Sequence, residues 1–167
     1  NHDYARYIYL RDEKSKECWN IGEGPLNTEV ENYQCVHSIG SSRIQSSYQN
    51  IASSWRLFVP EDGYQEVWTL KIKNTGERQR HLSIFSAVSF YLEGFSYPRY
   101  YEMSRCMETD YDEKLKGVYC RSAHPFAPHK RYNAFLAASE PAYAYDGNLE
   151  AFCGTTSTIT RLDASAS

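Results

Sequence analysis

Residues 64–74 read YQEVWTLKIKN, and the period of that stretch decides the fold. Trp68, Leu70 and Ile72 stand two apart, with Gln65, Val67, Thr69, Lys71 and Lys73 between and around them. On a helix, residues two apart point to nearly opposite sides. On a strand they line one face and can be buried together. The following run, RHLSIFSAVSFYL at 80–92, repeats the pattern and puts Leu82, Ile84, Val88, Phe90 and Leu92 on one face. Between the runs, Asn74-Thr75-Gly76-Glu77 is a turn signal. The two runs are expected to pair antiparallel, with Trp68, Leu70, Ile72, Leu82, Ile84, Val88 and Phe90 on the buried face. A slip of one residue would expose the whole set.

Working outward, the same alternation marks further strands at 6–11, 17–20, 34–37, 43–48, 51–59, 103–111, 115–122, 134–139 and 151–154. Polar, Gly or Pro punctuation separates them, for example Asp12-Glu13-Lys14, Glu61-Asp62-Gly63 and Asp146-Gly147. No stretch of a dozen residues carries a helical stripe. Many short, closely spaced strands predict an all-β fold, a large antiparallel β-sandwich. The length of 167 residues suits one domain spanning 1–167.

Charge narrows the partners. The formal net charge is −3, from 18 basic and 21 acidic side chains mixed along the chain, so neither a nucleic-acid nor a membrane footprint is predicted. No apolar run is long enough to span a bilayer and no signal-peptide pattern opens the chain. Because it begins at Asn1 without Met, the chain is expected to be a piece of something larger. The five cysteines (Cys18, Cys35, Cys106, Cys120 and Cys153) form no C-x-x-C pair and no compact framework, which predicts a reducing, cytoplasmic home.

Motifs that would name an enzyme outright are missing: there is no Gly-rich phosphate loop, no H-E-x-x-H and no G-x-S-x-G. His124 and His129 bracket a Pro-containing segment and lack the further ligand a metal needs, so they read as an extended loop, with no metal or organic cofactor expected. Asp110, Asp112 and Glu113 sit where a hairpin must turn, which makes them a solvated turn before an acid–base pair. Cys106 and Cys120 flank that turn at equal distance from Glu113 and could face each other across the strands; a bridge is geometrically conceivable, while a cytoplasmic chain favours two reduced, half-buried thiols. The run RYIYLRD at 6–12 reads as an exposed charged face ending in a turn at Asp12.

Taken in order, RYIYLRD, Trp19, YQCVHSIG (33–40), FVP (58–60), EVWTLKIKN (66–74), RHLSIFSAVSF (80–90) and EAFCG (150–154) resemble the amino-terminal domain of the cellobiose and chitobiose phosphorylase family. The family, glycoside hydrolase family 94, also contains parts of cyclic β-1,2-glucan synthases. The likeness covers nearly the whole chain. It departs from the family pattern at WNIGEGPLN (19–27) and at His37-Ser38, where a His-Gly pair is frequent.

The resemblance implies a supersandwich followed by an (α/α)6 barrel, which this chain does not contain. It implies inverting phosphorolysis of a β-linked glucosyl di- or oligosaccharide, with inorganic phosphate as co-substrate and the general acid in the barrel. This chain would be inactive alone, and would serve in a homodimer to complete the acceptor side. The segment GFSYPRYY at 94–101 corresponds to a loop that reaches the active-site entrance in such enzymes. By that likeness Tyr97, Arg99, Tyr100 and Tyr101 are the candidate substrate-binding residues. Tyrosine faces suit a pyranose ring, and the Arg99 fork suits its hydroxyls. The alternative is a stand-alone carbohydrate-binding sandwich.

Overall fold

The structure is a computed structural model and describes residues 6–22, 24–26, 28–90, 92, 107–122, 132–148 and 152. Its strands are β1 (Arg6–Asp12), β2 (Cys18–Asn20), β3 (Glu31–Ser38), β4 (Ser41–Tyr48), β5 (Ile51–Phe58), β6 (Val67–Asn74), β7 (Leu82–Val88), β8 (Met107–Asp112), β9 (Gly117–Ser122) and β10 (Asn133–Ala137). The fold is all-β, as the alternation requires. The chain divides into two compact units, 6–87 and 88–152 in the described residues.

The first unit holds two sheets, in the orders β2-β1-β7 and β3-β4-β5-β6. The second sheet is a meander with regular antiparallel register: Ile44 faces Trp55, which faces Leu70. Ile8 and Leu10 of β1, Trp19 of β2, and Ile51 and Trp55 of β5 form the buried core with Ile21. Ile44, Tyr48, Leu57, Trp68, Leu70, Ile72 and Leu82 pack around it. Trp19 meets Tyr48 with ring centroids 5.1 Å apart, Trp55 meets Trp68 edge-on at 5.1 Å, and the Ser46 hydroxyl donates to the Ile21 carbonyl at 2.9 Å.

The opening stretch is therefore a strand with the expected face inward, but its partner differs from the expectation. β6 pairs with β5, and β7 sits beside β1 in the other sheet, so the two runs do not form a hairpin. The connection explains why. Thr75 turns back on the β4–β5 turn, its amide and hydroxyl both donating to the Asn50 carbonyl at 2.8 Å. Arg80 then bonds the Gln49 carbonyl at 3.0 Å, and the Glu13 amide takes the His81 carbonyl at 2.9 Å. The chain thus crosses from one sheet to the other, and Leu82 meets Leu70 and Ile72 around one core from the opposite layer. Ile84 is a second correction: the core is packed by Leu82 and stops short of Ile84, which is 54% exposed.

The tight turns follow local chemistry. Gln49 and Asn50 both have positive φ, the pair of left-handed residues that closes a two-residue hairpin. Asp12 and Asp112 each begin the same kind of turn, over DEKSK (12–16) and DEKLK (112–116). The Asp12 carboxylate accepts the amides of Lys14 and Ser15 at 2.7 and 3.1 Å, and Asp112 accepts those of Lys114 and Leu115 at 2.8 and 3.0 Å. In each, the residue that closes the turn, Lys16 or Lys116, takes positive φ. The hairpin expected around Glu113 is real; Asp112 caps its turn and Glu113 lies in it, whereas Asp110 stands on β8.

The second unit contains the antiparallel sheet β10-β9-β8. Its register sets Cys120 opposite Thr109, and Cys106 lies outside the described residues. Tyr111 and Tyr145 stack with centroids 5.3 Å apart. At Phe152, the described residue within the expected strand 151–154, the backbone is helical, its amide donating to the Asn148 carbonyl at 3.0 Å.

Candidate functional site

Tyr97, Arg99, Tyr100 and Tyr101 lie outside the described residues, as do His124 and His129. Within the described residues, the richest concentration of charge is where β1 ends and β7 begins. The sequence suggested a solvated charged face there. The structure instead buries Asp12, whose side chain is 4% exposed, and pairs it with the Arg80 guanidinium. Arg11 is only 14% exposed and bonds Glu13 at 2.9 Å. The reason is the crossover above, which lays Arg80 and Ser83 over the end of β1.

That arrangement fixes the protonation of both acids. The Asp12 carboxyl is held down to about 2, first by the Ser15 amide and then by Arg80. Glu13 is likewise held down to about 2 by the Ser83 hydroxyl at 2.5 Å, Lys16 and Arg11. Acids pinned in the ionised form have no proton to give near neutrality, so this cluster is a clamp that ties the end of β1 to the incoming β7 rather than a general acid.

A shallow pocket of ≈ 180 Å³ opens in the same unit, lined among others by Arg6, Tyr7, Asn20, Tyr33 and Trp55. Among the described residues its lining includes no carboxylate, Arg6 is engaged with Glu66, and the Asn20 amide is spent on the Gly22 and Gly24 carbonyls. The described lining therefore holds no acid–base pair of the glycosidase kind. Among the described residues no group of three or more His, Cys, Asp or Glu side chains gathers as a metal site would require, and no helix is long and apolar enough to cross a membrane.

The outer strand β3 is exposed along all eight residues. On it, Cys35 Sγ lies 3.4 Å from His37 Nε2, and His37 Nδ1 lies 2.8 Å from Ser42 Oγ on β4. Sequence reading passed over this group. The two-residue spacing of Cys35 and His37 was visible in YQCVHS, but Ser42 joins them only through the β3–β4 register.

With a sandwich built from these sheets and no catalytic pair among the described side chains, comparison with known families decides the assignment. The model of the glycosyl hydrolase 94 supersandwich domain matches residues 2–166. The chain belongs to that family. Among its relatives, a solabiose phosphorylase of Paenibacillus borealis is 33% identical over 149 residues, which is 89% of this chain and 19% of the relative. A 3-O-beta-D-glucopyranosyl-beta-D-glucuronide phosphorylase of the same organism is 34% identical over 160 residues, again 89% and 19%. An N,N'-diacetylchitobiose phosphorylase of Vibrio proteolyticus is 37% identical over 88 residues, or 52% of this chain and 11% of the relative. The chain thus spans about a fifth of the length of the first two relatives, 19% in each.

Proposed function

We propose that this supersandwich chain is the non-catalytic portion of an inverting glycoside phosphorylase, which cleaves a β-linked glucosyl di- or oligosaccharide with inorganic phosphate. The reading is carried by the family match over 2–166, together with relatives that are all phosphorylases of short saccharides. The described side chains agree with a supporting role. Asp12 and Glu13 tie the end of β1 to Arg80 and Ser83, and Asp112 caps a turn. The acid that protonates the glycosidic oxygen and the site for phosphate then belong to an (α/α)6 barrel elsewhere in the protein. The sandwich contributes dimer contacts and the acceptor side of the active site, with Tyr97, Arg99, Tyr100 and Tyr101 reaching the sugar, in a cytoplasmic enzyme.

The experiment is a phosphorolysis assay. Intact protein given inorganic phosphate and a panel of β-linked disaccharides releases a sugar 1-phosphate of inverted anomeric configuration. Chain 1–167 alone releases none. Glycan titration of the isolated chain separates the carbohydrate-binding alternative, which requires affinity without a barrel.

A further inference from the structure

The exposed face of β3 carries a nucleophile, a base and an orienting group in sequence. Cys35 and His37 stand two apart on the strand and share a face. The β3–β4 register sets Ile44 opposite Cys35 and Ser42 opposite His37. In the tautomer whose Nδ1–H donates to Ser42 Oγ across 2.8 Å, Nε2 holds its lone pair 3.4 Å from Sγ. This is the order in which an activated thiol is built: sulfur, imidazole, and a third group that fixes the ring. The neighbours from β4 on this face, Ile44 and Ser42, do not ionise near neutrality, and Arg43 pairs with Val36 on the opposite face. Glu31 is the nearest acid along β3 and lies beyond the bulge between Glu31 and Gln34.

Other described cysteines differ. Burial pushes the Cys18 thiol up to about 11, with Arg11 opposing it only in part, and burial also raises Cys120. A thiol that resists ionisation makes a poor attacking group. Cys35 is exposed and has a base at hand.

We propose that Cys35, served by His37 and Ser42, is a thiol–disulfide exchange site for low-molecular-weight disulfides. His37 Nε2 takes the thiol proton, and the thiolate attacks one sulfur of the incoming disulfide along its S–S axis. That S–S bond breaks as the Cys35 mixed disulfide forms. The departing thiolate recovers the proton from the imidazolium. Cys35 is oxidised and the small disulfide is reduced to one free thiol and one bound half, so no further oxidant is needed. The open strand face lets a flexible disulfide reach the required line of approach.

The test uses glutathione disulfide as the probe on the intact protein, with adducts located by peptide mass spectrometry across a pH series. Cys35 is expected to be modified first, with Cys18 unmodified on that timescale. His37→Gln slows Cys35 by roughly tenfold near neutrality and removes the imidazole step from the pH profile. Ser42→Ala slows it less, and a free peptide of residues 31–40 reacts more slowly than the folded protein because it lacks Ser42. Circular dichroism of each variant establishes that the sheet is retained. First modification at another cysteine, a His37→Gln protein with parental rate and profile, or a peptide as fast as the protein would each overturn the proposal. None of these outcomes touches phosphorolysis, so the site stands or falls independently of the enzymatic reading.

Discussion

At the scale of single residues, depth in the core and fixed charge make opposite demands. Leu10 is fully buried between the sheets, and Leu10→Ala is expected to cost about 2–5 kcal/mol in urea unfolding, because the vacated space refills only in part. Lys71→Ala, on the exposed face of β6, should stay within about 0.5 kcal/mol. Asp12 and Glu13 add a dependence on acid. Their folded values, about 2, lie below ordinary values of 3.8 and 4.5, so the native state favours their ionised forms. The resulting stability is fully present above the ordinary carboxylate range and drains away as pH falls through it towards the folded values. The urea midpoint followed from about pH 6 to about pH 2.5 should drop, and Asp12→Asn should lower stability near neutrality while flattening that acid limb. An unchanged acid limb in Asp12→Asn would remove the carboxylate from the clamp.

At the scale of elements, close backbone approach sets what β9 tolerates. A Cβ on Gly117 would collide with the Leu136 carbonyl and come within 2.7 Å of the Ala137 Cα, both backbone atoms of β10 or its end. No side-chain rotation relieves that, so Gly117→Ala is expected to part β9 from β10. Amide exchange should then speed at Val118 and Leu136, which face each other, while Leu10 and Trp55 in the other unit keep their protection. The paired turns DEKSK and DEKLK show how much of an element is local. Each Asp caps its own turn whatever packs nearby, yet only Asp12 acquires Arg80. Turn chemistry was legible because it needs neighbours in sequence. The Asp12–Arg80 pair was not, since 68 residues separate the partners.

At the scale of the whole molecule, the family assignment attaches a functional expectation to the segment GFSYPRYY at 94–101. In the intact protein, Tyr97→Ala and Arg99→Ala should raise the acceptor KM or lower kcat in the synthetic direction, with the thermal midpoint held near the parental value. Parental acceptor kinetics in both variants would detach those residues from the sugar. The succession of the motifs along the chain accounts for recognition from individually weak ones. Each is a strand pattern that many sandwiches would carry, and their succession is what marks the family.

The sequence by itself determined the strand period, the inward face of β6, the turns at Asp12 and Asp112, and the family. Alternation and Asx-type capping act over a few residues, and so they survive in the primary structure. Tertiary structure alone decided that β6 and β7 belong to different sheets, that Ile84 is left in solvent, and that Ser42 completes the Cys35–His37 pair. An alternating run states which face it must bury and never states against what. The choice among partners is made by the crossover that Thr75 and Arg80 anchor, and a one-dimensional pattern contains no trace of bonds that close only when the chain returns on itself.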